Sequence, residues 1–194
     1  MDLNPSFISI NKSILMAEVI LVDERDNQIG KEEKIKAHKE AKLHRAFSIL
    51  VFNKKGEWLL QKRARTKYHS PGLWTNTCCS HPGPGKNLMM EARRRLKEEM
   101  GFDCPLEESF SFVYKAKLGD LTEYEFDHVL LGRFSGEPRP NKEEADDWKW
   151  MSFNGLKEDV KQNPENYTLW FKIIFKEVCK EQLKKPAVKR VQPR

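Results

Sequence analysis

No uninterrupted apolar run approaches the ~18 to 20 residues needed to cross a bilayer as a helix. The apolar stretches that do occur, FSILVF and HVLLGRF among them, are left to a core. The opening MDLNPSFISINK lacks a basic region followed by an apolar one, so no secretory signal is evident and a soluble, cytoplasmic protein is expected. Cysteine is scarce: the four are Cys78, Cys79, Cys104 and Cys179, with no CxxC pair, which argues against a four-cysteine zinc site. Adjacent cysteines in an extended chain point to opposite sides and rarely pair, so reduced thiols are expected. Acidic residues are absent from the C-terminal KKPAVKRVQPR, where much of the +6 net charge sits. Residues 184–194 therefore read as a disordered basic tail and 1–183 as one domain. Without the tail the body is nearly balanced in charge, and no nucleic-acid partner is expected.

What is present is enough for one core: hydrophobic residues make up 39% of 194. AEVILVD, Ala17 to Asp23, reads as a first strand ending in a turn, followed by a charged linker. HRAFSILVFN and EWLLQKR flank NKKG and predict a hairpin, and WTNTCC a short buried strand. After the breaker cluster HPGPG, Asn87 caps a helix in which Leu88, Ala92, Leu96 and Met100 recur every fourth residue, with Gly101 as a left-handed terminator. FSFVYKAKL and EYEFDHVLLGRF predict two strands around a turn near Gly119 and Asp120. DDWKWMSF predicts another, and helices are expected over Asn154–Gln162 and Glu165–Leu183. There is no internal repeat. The pattern is a mixed sheet with an inserted helix and C-terminal helices, the α+β class.

Several groups in this framework could carry chemistry. Glu123 and Glu125 alternate along a strand and so share one face, a pairing that suits either a wet surface or a bound cation. His38, His44 and His81 fall near the ends of neighbouring strands or in loops. Imidazoles and carboxylates are the ligands a borderline divalent ion such as zinc or manganese takes. Lys34, Arg63, Lys67 and Arg95 make a basic set, readable as surface charges or as a phosphate clamp. Arg95 and Glu99 are one helical turn apart.

RRLKEEMGF, Arg94 to Phe102, resembles the second half of the Nudix box, a motif whose glutamates gather Mg²⁺ around a diphosphate. Here the box departs from its pattern: Arg95 replaces its first glutamate, and Ser80 and Lys86 stand where the upstream glycine and glutamate belong. LHRAFSILVFN, PGLWTNTCCSHP, RRLKEEMG and YEFDHVLL, in that order, are similar to type 1 isopentenyl diphosphate isomerases over roughly 19–175. The resemblance implies a Nudix-like mixed β-sheet sandwich with flanking helices. It implies interconversion of isopentenyl and dimethylallyl diphosphate in isoprenoid biosynthesis, on a free small-molecule prenyl diphosphate. By the same resemblance, Cys79 and Glu125 are the catalytic pair, Tyr114 stands beside them, and Trp170 is a pocket wall. His38, His44, His81, Glu123 and Glu125 match the ligands of an Mn²⁺ or Zn²⁺ ion. Glu99 matches a ligand of the Mg²⁺ that enters with the substrate. Lys34, Arg63, Lys67 and Arg95 match diphosphate contacts. The gap between His38 and His44 is one residue shorter than in the bacterial form of the family. If WTNTCCSHP is extended, Cys79 and His81 share a face while Cys78 turns into the core.

Overall fold

The computed structural model describes residues 17–184. The sheet is mixed and nine-stranded, built around β3 (His44–Phe52). β1 (Glu18–Val22) pairs with β2 (Gln28–Glu33) and touches the start of β3. β8 (Leu121–Arg133) runs parallel to β3 along its whole length and antiparallel to β7 (Leu106–Leu118). β4 (Trp58–Arg63) carries β9 (Ala145–Met151).

The hairpin expected between β3 and β4 turns at Gly56 but pairs only at Phe52 and Trp58. Beyond that point the two strands splay, and the chain between Trp74 and Ser80 fills the gap. It does so as two fragments rather than the single strand expected. β5 (Trp74–Thr75) pairs with β4, and β6 (Cys78–Ser80) pairs with β3. The crossing is held by side chains standing in for backbone groups. Asn76 Nδ2 donates to Cys78 O at 2.7 Å; Thr77 Oγ1 accepts from Val51 N at 3.0 Å and donates to Leu59 O at 2.7 Å.

Alternation along the strands sends side chains into two cores. Phe47, Ile49, Val51, Leu59, Cys78 and Leu130 pack under Ala92, Leu96 and Met100 of α2 (Leu88–Met100). Leu50, Trp58, Leu60, Tyr114 and Val129 face the other way. They meet Leu156 of α3 (Phe153–Gln162) and Phe171, Ile174 and Phe175 of α4 (Leu169–Lys184). Helix α2 begins and ends where its caps predict: Asn87 accepts from Met90 N, and Gly101 sits at φ 75°.

Three expectations need correction. The charged linker contains β2 and a short helix, α1 (Lys34–Lys39). The final helix starts at Leu169, not Glu165. Pro164–Asn166 form a 3₁₀ turn, and the Thr168 hydroxyl accepts from Phe171 N at 3.3 Å, which starts the helix there. The strand expected over DDWKWMSF ends at Met151 because Ser152 caps α3. Of the expected basic tail, only Lys184, the last residue of α4, lies within the described residues. Among those residues no helix is long and apolar enough to cross a membrane.

A Cβ on Gly101 would lie 2.2 Å from Arg139 O, and the left-handed backbone there disfavours any side chain. Gly101→Ala is expected to cost ~2 kcal/mol or more and to lower the melting temperature by several degrees in thermal denaturation.

Candidate active site

His44 opens β3 and sits opposite Glu125 of β8, which shares a face with Glu123. His81 follows β6, on the far side of β3 from β8. His38 comes from α1, the helix hidden in the charged segment, whose N-cap is Glu33 accepting from Ile35 N and Lys36 N. These four elements bring one ligand atom from each of His38, His44, His81, Glu123 and Glu125 within 4.8 Å of one another.

The donor set fits a divalent cation. Nδ1 of His38 donates to Lys34 O at 2.7 Å and Nδ1 of His44 to Lys42 O at 2.8 Å, so the Nε2 atoms face the cluster. Nε2 of His44 is buried with no hydrogen-bond partner among the described residues. His38 Nε2 lies 3.0 Å from Glu123, and His81 Nε2 lies 2.8 Å from Glu125. Burial, with repulsion from His81 and His38, drives His44 down to about 2, so the imidazole stays neutral. For His38, burial alone would lower the pKa, but Glu123 overrides it and the net shift is upward.

Cys79 and Glu125 rise from the same face of the sheet. Cys79 sits beside Ser48 and Glu125 beside His44, with Ala46 between them on β3. Ala46 and Ser48 are both small, and Asp127 of β8 stands beside Ala46. Cys78 points the opposite way and is fully buried under α2. Burial, reinforced by Glu99, pushes the Cys79 thiol up to about 12, so it is protonated at neutral pH. Tyr114, opposite Glu125 on β7, donates to Glu125 Oε2 at 2.7 Å, and burial holds its own pKa well above normal. Trp170 belongs to the core around α4. Its face carries the Arg63 guanidinium at 5.1 Å, and the ring of His69 meets it edge-on at 5.4 Å.

The basic set gathers on the same side of the molecule. Lys34 heads α1, and its pKa is lowered by burial against the pull of Glu123 and Glu125. Arg63 Nη2 donates to His69 O at 3.1 Å, bracing the polar loop that carries Lys67. Arg95 Nη2 donates to Glu99 Oε1 at 2.6 Å, and Gln61 Nε2 donates to Glu99 Oε2 at 3.0 Å.

Sequence reasoning passed over Glu144, which binds both Lys67 and Arg95. Burial alone would raise its pKa, but Lys67 and Arg95 hold it below the usual range. Nothing in the local pattern marks it. Asp127 was also missed, though the alternation that selects Glu123 and Glu125 reaches it next. It is fully buried beside Ala46, and burial together with Glu125 pushes its carboxyl well above the usual range, against the pull of Ser48.

A fold of this kind is shared with a protein of Deinococcus radiodurans at TM-score 0.63, with 17% identity, over 75% of this chain and 90% of that one. The NUDIX domain family matches residues 42–171, which defines the class of protein that the sheet and α2 build. The Isopentenyl-diphosphate Delta-isomerase 2 of Aromatoleum aromaticum is 54% identical over 154 residues, 79% of this chain and 82% of that protein. The enzyme of the same name from Photorhabdus laumondii is 54% identical over 158 residues, 81% and 89% of the two chains. The chain belongs to the isopentenyl-diphosphate Delta-isomerase family.

Proposed function

We infer that the protein interconverts isopentenyl and dimethylallyl diphosphate, with Cys79 and Glu125 as its proton-transfer pair. The observation that carries the reading is their placement on one sheet face, at either end of a stretch floored by Ala46 and Ser48. No group in the substrate acidifies the carbon that must lose hydrogen, so the alkene is protonated first. One member of the pair gives a proton to the terminal CH₂, which becomes CH₃, and the branched carbon becomes a tertiary cation. The other member removes a proton from the neighbouring CH₂, the double bond forms there, and the proton count is unchanged. Tyr114 holds the Glu125 carboxylate in place by its hydrogen bond. Trp170 helps wall the site against water, which would otherwise capture the cation.

His38, His44, His81, Glu123 and Glu125 would hold one divalent ion, Mn²⁺ or Zn²⁺ by their mixed nitrogen and oxygen donors. Bound there it would fix the Glu125 carboxylate and moderate its charge. Glu99 would take part in holding the Mg²⁺ that neutralises the substrate diphosphate. Lys34, Arg63, Lys67 and Arg95 would grip the same group and so tether the alkene between thiol and carboxylate. Cytoplasmic location is part of this reading, since the substrate is a free, charged small molecule.

NMR of the purified protein with Mg²⁺ and isopentenyl diphosphate in D₂O tests it. Dimethylallyl diphosphate is expected, carrying deuterium at carbon. Product without deuterium rejects protonation by solvent-exchangeable groups. Release of orthophosphate with no dimethylallyl product points instead to hydrolysis.

A further inference from the structure

We propose that Glu144 is a positioning residue for the diphosphate clamp, setting Lys67 and Arg95 at the spacing a diphosphate needs. The inference rests on the reading above that these two cations bind the diphosphate. The two cations come from unconnected parts of the chain, Lys67 from the loop after β4 and Arg95 from the middle of α2. One carboxylate joins them. Glu144 Oε2 accepts from Lys67 Nζ, and Oε1 accepts from Arg95 Nη2 at 3.2 Å. Two cations held on one carboxylate repel each other. A shared anion between them removes that cost before any substrate arrives.

The backbone around Glu144 makes it a bracket rather than a mobile counter-ion. Ala64 N, at the start of the Lys67 loop, donates to Glu144 O at 3.0 Å. Asn141 N donates to Glu99 O, in the last turn of α2, at 2.9 Å, and Glu144 N donates back to Asn141 O at 2.9 Å. The turn from 141 to 144 is thus tied to both cation-bearing elements by main chain and by side chain. It also reaches Glu99 through Arg95, whose Nη2 serves both carboxylates. The side chain of Glu144 is about one-fifth exposed (19%), sheltered enough for the charge pairing to persist in salt. It is not required to touch the reacting carbons, which are gripped at the other end of the substrate.

The test is Glu144→Gln, which keeps shape and an acceptor but removes the charge. Exposed Glu143→Gln serves as a control for net charge. The KM for isopentenyl diphosphate and the Kd for Mg²⁺-pyrophosphate by calorimetry are each expected to rise roughly tenfold, while kcat moves by less than about threefold. In a Lys67→Met background the same substitution should change Kd by less than about threefold, since half of its partnership is already gone. If Glu144→Gln fails to fold, Glu144→Asp, whose shorter reach cannot span both cations, is expected to show the same loss of pyrophosphate binding. Unchanged or tighter pyrophosphate binding overturns the inference, as does a fall in kcat at constant KM. The two readings fail separately. A wild-type protein that makes no dimethylallyl product, yet loses pyrophosphate binding on Glu144→Gln, sinks the isomerase reading and leaves the bracket standing.

Discussion

Cys79→Ala is expected to abolish isomerisation, by more than ~10³-fold in kcat, with the melting temperature almost unchanged. Its side chain is only partly buried and leaves no large void when truncated, and its one hydrogen bond, to Asn76 Oδ1 at 3.5 Å, is weak. The thiol's raised pKa makes a second readout. A site that ionises only near about 12 should react slowly with iodoacetamide at neutral pH and faster as pH rises. Cys78→Ala is the internal control. That side chain packs against Ala92 and Leu96 in the opposite core, so the change should cost ~1 kcal/mol of stability and leave most of the turnover. Loss of activity on Cys78→Ala alone, with Cys79→Ala active, would reverse the assignment of the two faces.

Glu125→Gln is expected to remove turnover to a similar extent and, with it, much of the bound metal. Its carboxylate serves three neighbours: His81 at 2.8 Å, His44 at 3.8 Å and the Tyr114 hydroxyl at 2.7 Å. An amide keeps the shape, but it carries no charge for a cation and no basic oxygen for a proton. One of its two ends must also present N–H groups to partners placed around an acceptor. Elemental analysis of the purified variant should therefore find less Mn or Zn per chain than in the wild type, alongside the kinetic loss. Retention of full metal content and full activity would remove Glu125 from the site. Retention of metal with loss of turnover would separate its proton-transfer role from ligation.

The order of these effects follows from the sheet. Period-two alternation in WTNTCCSHP and TEYEFDHV is legible without coordinates, and it already divides Cys79 from Cys78 and aligns Glu123 with Glu125. Helix α2 was equally legible, because its caps and its fourfold apolar spacing are local signals. The charged segment before β3 was not. β2 is an edge strand whose side chains are exposed or half-buried, so it shows no apolar alternation. α1 is a single short helix capped by Glu33, outside the usual capping residues. Yet this helix delivers both His38 and Lys34. Glu144 was invisible for another reason: its partners lie 77 and 49 residues away, and no local rule relates such positions.

By itself, then, the sequence determined the class of fold, the faces on which the thiol and the paired glutamates lie, and the ends of its best-capped helix, since each depends on neighbours within a few residues. Tertiary structure alone decided that three histidines and two glutamates from four elements converge, that β5 and β6 wedge between β3 and β4, and that one carboxylate couples a loop lysine to a helix arginine. Convergence depends on how the strands register and splay, and that is fixed by packing two cores at once rather than by the identity of any one segment.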